Sequence, residues 1–415
     1  MTSWLSTDRD RPRVLVAGGG VAALEACLAL RAYVRDEDVE IELLTPSLRF
    51  SYRPLSVLES FGGERTWSMP LDRFASDQDV VLVHEALGEV LASEHAILTT
   101  SGVRRPYELL LVAIGARPTP HLPGAITFQG STDAPTVRRM LDDASARLRP
   151  RIVFAVGATT SWPLPLYELA LLTAGELRSR GARSQLTLVT PEATPLELFG
   201  PRASEVVARL LEEHGVTTIC GVEPLEARDG ELQLVDGRSI AADRVVALPR
   251  AAGRYIAGLP HDPAGFIPVD AHGRVADVED VYAAGDITSF PFKQGGLATQ
   301  EADAAAEAML ADLGLAIEPR PFTPVLQGVL YSAGEPTYLR APLGDGTARA
   351  STPRTYSMWW PPSKIAGRYL ASYLTVRAGA PRAPELRPSA DVVPVRVDVS
   401  GALARSETPA APARS

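Results

Sequence analysis

The chain is poor in sulfur. Of its 415 residues only two are cysteines, Cys27 and Cys220. That is too few for a disulfide framework, and their separation leaves no CxxC redox pair. Lysine is as scarce, with Lys293 and Lys364 the only two, so positive charge is almost wholly arginine. The six histidines are scattered and show no H-E-x-x-H spacing, so no metal site is expected. There is no G-x-S-x-G nucleophile elbow. No apolar run reaches the roughly 18 residues a membrane span needs. The opening MTSWLSTDRDRPR is polar and a strand follows at once, so no secretory leader is expected. A net charge of −9 argues against nucleic acid as a partner. These absences describe a cytoplasmic globular protein that handles small molecules.

Glycine is present where it matters. Residues 14–26 read VLVAGGGVAALEA: a buried strand, a glycine turn and a helix start made of small residues. Gly18 permits the turn, Gly20 lets backbone approach a phosphate, and Ala23 lets the helix pack on the strand. Val21 and Ala22 sit at the helix N-terminus, whose free amides attract a pyrophosphate. Two further strand ends follow the same plan. One is YELLLVAIGA at 107–116; the other is VEDVYAAGDI at 278–287, followed by a polar loop and the helical stretch LATQEADAAAEAML. Strands alternating with helices imply parallel sheets and βαβ crossovers.

In this order the three motifs resemble the FAD-dependent pyridine-nucleotide-disulfide oxidoreductase superfamily, in its sulfide:quinone oxidoreductase and type II NADH dehydrogenase branch. The resemblance implies an α/β fold of two Rossmann-like dinucleotide-binding domains with parallel sheets and a β-meander. It implies an FAD-binding domain in two parts, 11–120 and 249–320, around a second NAD-type domain at 121–248. A C-terminal interface segment at 321–395 and a disordered tail at 396–415 complete the chain. The implied cofactor is FAD. Its contacts fall on Gly18, Gly20, Val21, Ala22, Ala23, Thr45, Pro46, Arg53, Leu87, Ala113, Ile114, Gly115, Gly285, Asp286, Lys293 and Ala298. Ile114 stands where the relatives have Thr. Thr45 stands where a dinucleotide site keeps an acid for the ribose. Arg53 is assigned to the adenosine side. The implied catalytic residues are Lys293, beside the flavin pyrimidine edge, Glu168, facing the flavin, and Gln300, near a quinone pocket.

The second domain departs from its relatives. Its first turn is GATTSWPLP at 157–165, where an NAD(P)H user carries a glycine fingerprint. Pro163 and Pro165 supply no amide and Trp162 is bulky, so nicotinamide binding in the usual pose is not expected. Tyr167-Glu168-Leu169 resembles the Y-E-F segment of the sulfide enzymes, but the redox cysteine's place is held by Ser161 or Trp162. Cys27, on an apolar helix, reads as a small buried hydrophobe, and Cys220 as structural, so sulfide chemistry is not expected. The aromatic stretch 358–374, with Trp359, Trp360, Tyr369, Tyr373, Lys364 and Arg368, fits either a membrane surface or packing against the FAD domain or a dimer partner; the low basic charge favours packing. The expected function is transfer of two electrons or a hydride from a small-molecule donor through the flavin to an acceptor, with quinone as the candidate. The alternatives are an NAD(P)H-dependent reductase with an atypical nicotinamide site and a flavin-binding protein without turnover.

Overall fold

A computed structural model describes residues 11–63, 66–344, 347–348 and 351–376. The tail 396–415 and the end of the C-terminal segment lie outside the described residues. Two parallel sheets organise the chain. The first runs in the order Val281–Ala283, Leu109–Val112, Arg13–Ala17, Glu40–Leu44, Val81–Val83, every neighbour parallel. Its central strand is a continuous apolar run, Val14 to Ala17, wholly buried, as expected of a strand covered on both faces. An antiparallel meander, Leu87–Leu91, Ala96–Thr99 and Arg104–Pro106, flanks this sheet.

The second sheet runs Ile126–Thr127, Arg244–Ala247, Arg151–Ala155, Gln185–Val189, Val216–Ile219, again all parallel. It too carries a meander, whose Glu231–Leu234 and Ser239–Ala241 strands turn at Asp236-Gly237, with Gly237 at φ +85°. Arg117–Thr119, on the way out of the first sheet, pairs antiparallel with Arg250–Ala252, on the way back. The C-terminal segment forms a hairpin, Val325–Leu330 against Thr337–Gly344, then a short helix, Leu370–Val376.

Two helices cover the site. Val21–Arg31 follows the glycine turn, and Gly295–Asp312 follows the polar loop. Alanines let their axes approach: Ala22, Ala23, Ala26, Ala298, Ala302 and Ala305 all lie in one buried cluster. The helix Leu164–Ser179 buries Leu166, Tyr167 and Leu169 against the hairpin residues Leu326, Val329 and Leu330. The hairpin is therefore part of the core.

Candidate active site

Three strand ends meet at the carboxyl edge of the first sheet. Gly18 sits at φ +139°, where a Cβ would lie 2.2 Å from the carbonyl oxygen of Ala113. Only glycine allows the first turn to close against the second strand end. Gly20 caps the helix without a side chain to bond its first amides, and a Cβ there would meet no atom within 4 Å. The helix N-terminus is thus open to an anion. Gly115, at φ +67°, is open in the same way. Ala113 is buried and its amide donates to Ala17 O at 2.7 Å; Ile114 is half-buried.

Gly285, at φ +81°, is wedged between the two helices. A Cβ there would stand 2.9 Å from Ala22 Cβ and 3.4 Å from Ala298 Cβ. Glu301, buried on the second helix, fixes this turn: its carboxylate accepts the Gly285 amide at 2.6 Å and the Thr288 hydroxyl at 3.0 Å. Sequence reading passed over Glu301, which looks like one more helix carboxylate.

Asp286, at the tip of the turn, lines a cavity of 310 Å³ with Arg53, Lys293, Gln294, Trp162 and Lys364. Burial raises the Asp286 carboxyl above its ordinary value, and Lys293 and Arg53 act against that rise. Lys293 donates to the carbonyls of Thr288 and Phe290 and lies 4.0 Å from the centre of the Phe266 ring. Burial lowers its ammonium, with Asp286 and Glu301 opposing. Arg53 thus faces the aspartate end of the cavity.

Thr45 is buried against Gly19 and accepts the Ser47 amide at 3.2 Å, while Pro46 is exposed. Leu87 packs its side chain into the core with Leu15 and Leu44.

Two expected catalytic residues are otherwise engaged. Gln300 does not line the cavity. Its amide donates to Val325 O at 3.0 Å and accepts Val325 N–H at 2.9 Å, pinning the hairpin to the helix. The glutamine that lines the cavity is Gln294, the helix N-cap, which accepts the Leu297 amide at 2.8 Å. Glu168 is fully buried, and its carboxylate is taken up by Lys364 Nζ, 2.6 and 2.7 Å away, and by the Tyr331 amide at 2.9 Å. Lys364, over the Tyr331 ring at 4.5 Å, is the partner that lines the cavity.

The aromatic stretch points inward. Trp359 donates to Ser363 O at 2.8 Å and meets the Tyr338 ring edge-on at 5.5 Å. Tyr373 donates to Asp77 at 2.8 Å and packs edge-on against Phe74. Only Trp360, 75% exposed, has its ring largely in solvent. The membrane contact sequence allowed for this stretch loses most of its residues to the core.

The cysteines are remote from this chemistry. Cys27 is fully buried, and burial pushes its thiol up to about 12. Burial and the carboxylates of Glu192 and Glu197 raise Cys220. A reactive thiol needs the opposite environment. The double Cys→Ala variant is expected to keep its flavin spectrum and its rate with any active donor. Normal FAD content with lost donor reduction would restore a thiol mechanism.

In the second sheet's turn, the His121 imidazole sits on Gly157, where a Cβ would come within 1.8 Å of Nε2. Beyond the Gln185–Val189 strand, Glu192 accepts the Tyr167 hydroxyl at 2.6 Å and the Thr190 hydroxyl at 2.9 Å. This acid stands where a dinucleotide site holds a ribose; its signal was a glutamate three residues past a strand. Among the described residues no group of His, Cys, Asp and Glu could hold a metal ion, and no helix is long and apolar enough to cross a membrane.

Comparison with known proteins agrees with this geometry. Residues 12–308 match the pyridine nucleotide-disulphide oxidoreductase family, and the chain belongs to it. It is an FAD-dependent oxidoreductase. The ferredoxin reductase component of chlorobenzene dioxygenase from Cupriavidus sp. is 27% identical over 374 residues, covering 81% of this chain and 85% of its own. The oxidoreductase ptaL of Pestalotiopsis fici is 26% identical over 196 residues, 45% of this chain and about half (49%) of that protein. Among solved structures, the sulfide:quinone oxidoreductase of Aquifex aeolicus superposes with a TM-score of 0.74 at 18% identity, covering 83% of this chain and 86% of that one.

Proposed function

We propose that this chain binds FAD along the carboxyl edge of the first sheet and passes two electrons or a hydride from a small-molecule donor to an acceptor, of which a quinone is the leading candidate. Asp286 and Lys293 facing one cavity at the mouth of a long helix carry the reading. The open amides at Gly20–Ala23 suit the diphosphate, and Asp286 suits the ribityl hydroxyls. Bound flavin supplies reversible two-electron chemistry. Lys293, held by two carbonyls, would supply positive charge to offset the negative charge of a reduced flavin. Lys364 brings a second ammonium, neutralised by Glu168, to another wall. The neighbours include a sulfide:quinone oxidoreductase and ferredoxin reductases, which supports a quinone or a small redox protein as acceptor.

The test is the absorption spectrum of the purified protein, photoreduced anaerobically and then mixed with quinone. A yellow protein that quinone reoxidises is expected; one that stays colourless after FAD addition sinks the reading. Asp286→Ala is expected to weaken FAD binding by about 1.5–3 kcal/mol, the range for a hydrogen bond to a charged group, measured by titrating apoprotein.

Glu192 favours a second reading, in which NADH is the donor. Against it, the helix beyond the turn starts at Leu164 between Pro163 and Pro165, so at most one free amide faces a diphosphate there. NADH and NADPH are expected to bleach the flavin slowly or not at all in stopped flow. Rapid bleaching at micromolar NADH would promote the second reading.

A further inference from the structure

One carboxyl group fastens the C-terminal helix. Glu25, fully buried on the helix Val21–Arg31, accepts the Tyr369 amide at 2.8 Å and the Leu370 amide at 2.7 Å, at the open start of the short helix Leu370–Val376. The approach is close. A Cβ on Gly367 would stand 2.7 Å from Glu25 Oε2, so glycine is required where the chain crosses the acid. The helix then lays Leu370, Tyr373 and Leu374 on the apolar cluster that holds Ala22, Ala26 and Met69. Upstream, Lys364 is tied to Glu168, and the Ile365 amide donates to Tyr52 Oη at 3.0 Å. The cavity end of the segment is therefore anchored independently of Glu25.

A second acid faces the first. Asp303, on the helix Gly295–Asp312, meets Glu25 side chain to side chain, and its Oδ1 is buried with no hydrogen-bond partner. Two carboxyls can hydrogen-bond only while a proton stays between them. Burial raises both above their ordinary values, and for Glu25 it outweighs the amides that favour the charged form. Arg368 approaches from the segment itself, with Tyr369 and Tyr33 beside it. Glu307, one turn beyond Asp303, binds both Arg368 and Arg320. On the far side of the segment Tyr373 donates to Asp77, which lies 3.9 Å from Arg73. When the shared proton leaves, the two charges must part or be hydrated. The two long helices resist parting, because alanine packs on alanine and Gly285 is wedged between them. The cover over the pair is the movable element. We propose that 367–376 is a pH-operated clasp, closed while Glu25 and Asp303 share a proton, and open when both are ionised, turning about Ala366-Gly367 to uncover the rear of the two site helices. The sign follows from linkage: protons held in the closed form and shed in the open one favour opening as pH rises. The clasp needs no flavin, so it stands or falls separately from the reading above.

The experiment is hydrogen–deuterium exchange of the full chain at about pH 6.5 and about pH 9, read by mass spectrometry and corrected for the intrinsic pH dependence of amide exchange. Protection across 367–376 should fall by about tenfold or more between the two, since each proton released contributes up to about a factor of ten per pH unit. The strand Arg13–Ala17 should keep its protection. Glu25→Gln and Asp303→Asn each remove one charge of the pair, and most of the fall should disappear in both. Gly367→Ala, which presses a methyl group on the carboxylate, should lower protection at both pH values alike. Equal protection at the two pH values in the parent, an undiminished fall in both charge variants, or a fall shared in full by Arg13–Ala17 would each overturn the proposal. FAD content, read from the same samples, reports separately on the flavin reading.

Discussion

Lys364→Met is expected to cost about 3–5 kcal/mol of stability, because it strands Glu168 as an unpaired charge in the core. The pair is buried on both sides, with 6% and 0% of the side chains exposed. The carboxylate keeps only the Tyr331 amide once the ammonium is gone. Burial already pushes Glu168 up and Lys364 down from their ordinary values, and each partner opposes the other's shift. Without the ammonium, the Glu168 carboxyl should rise further above its ordinary value as the variant loses stability. Adding Glu168→Leu should return most of the loss, since an apolar pair of similar volume often replaces a buried ion pair at little cost. Urea unfolding of the two single variants and the double variant closes the cycle. A single variant within about 1 kcal/mol of the parent would mean that water reaches Glu168, contrary to its full burial.

Asp303→Asn is expected to stabilise the protein in alkali and to do little in acid. Glu25 and Asp303 face each other between the two site helices and the C-terminal helix. Burial lifts Glu25 to about 7; burial and the Glu25 charge lift Asp303 to about 8. Glu25 accepts the amides of Tyr369 and Leu370 at 2.8 and 2.7 Å and so caps the C-terminal helix. Arg368, Arg320 and Glu307 surround the pair and are themselves linked, Arg368 meeting Glu307 at 3.1 Å. Both carboxyls hold protons in the folded state at pH values where the unfolded chain has shed them. Their contribution to stability is therefore full below about pH 4, falls as pH rises, and is gone above about pH 8. Asparagine removes the repulsion, for a gain of about 1–2 kcal/mol at pH 9, one pKa unit being worth about 1.4 kcal/mol. Thermal melts of both proteins across pH 5–9 check the sign: curves that stay parallel would place the pair in solvent.

What sequence reading located and what it missed divide along one line. The glycine turn at 18–20, the strand end at 113–115 and Gly285-Asp286 were legible because each is a local pattern whose backbone geometry demands its residues. Gly18 is needed against Ala113 and Gly285 between two alanines, and no distant partner has to be known to say so. The side chains of the site were less legible. Glu168 and Lys364 are 196 positions apart, and nothing local to either reveals the other. Gln300 came from the family resemblance alone, which does not show that Gln294, less than two turns earlier, caps the helix while Gln300 grips Val325. For the aromatic stretch at 358–374 composition carries no direction, and only its low basic charge favoured packing over a surface. Phe74, Asp77 and Tyr338 turn it inward, and the first two lie about 300 positions away in the chain.

The antiparallel pair of Arg117–Thr119 with Arg250–Ala252 has an evolutionary consequence. Both crossings between the sheets are zipped to each other, so everything from residue 120 to 249 enters and leaves through a single two-stranded gate. A segment with adjacent ends is readily exchanged for another of its kind. A lineage can therefore swap this cassette, and with it the choice of fuel, while the first sheet and its glycine turns stay as they are.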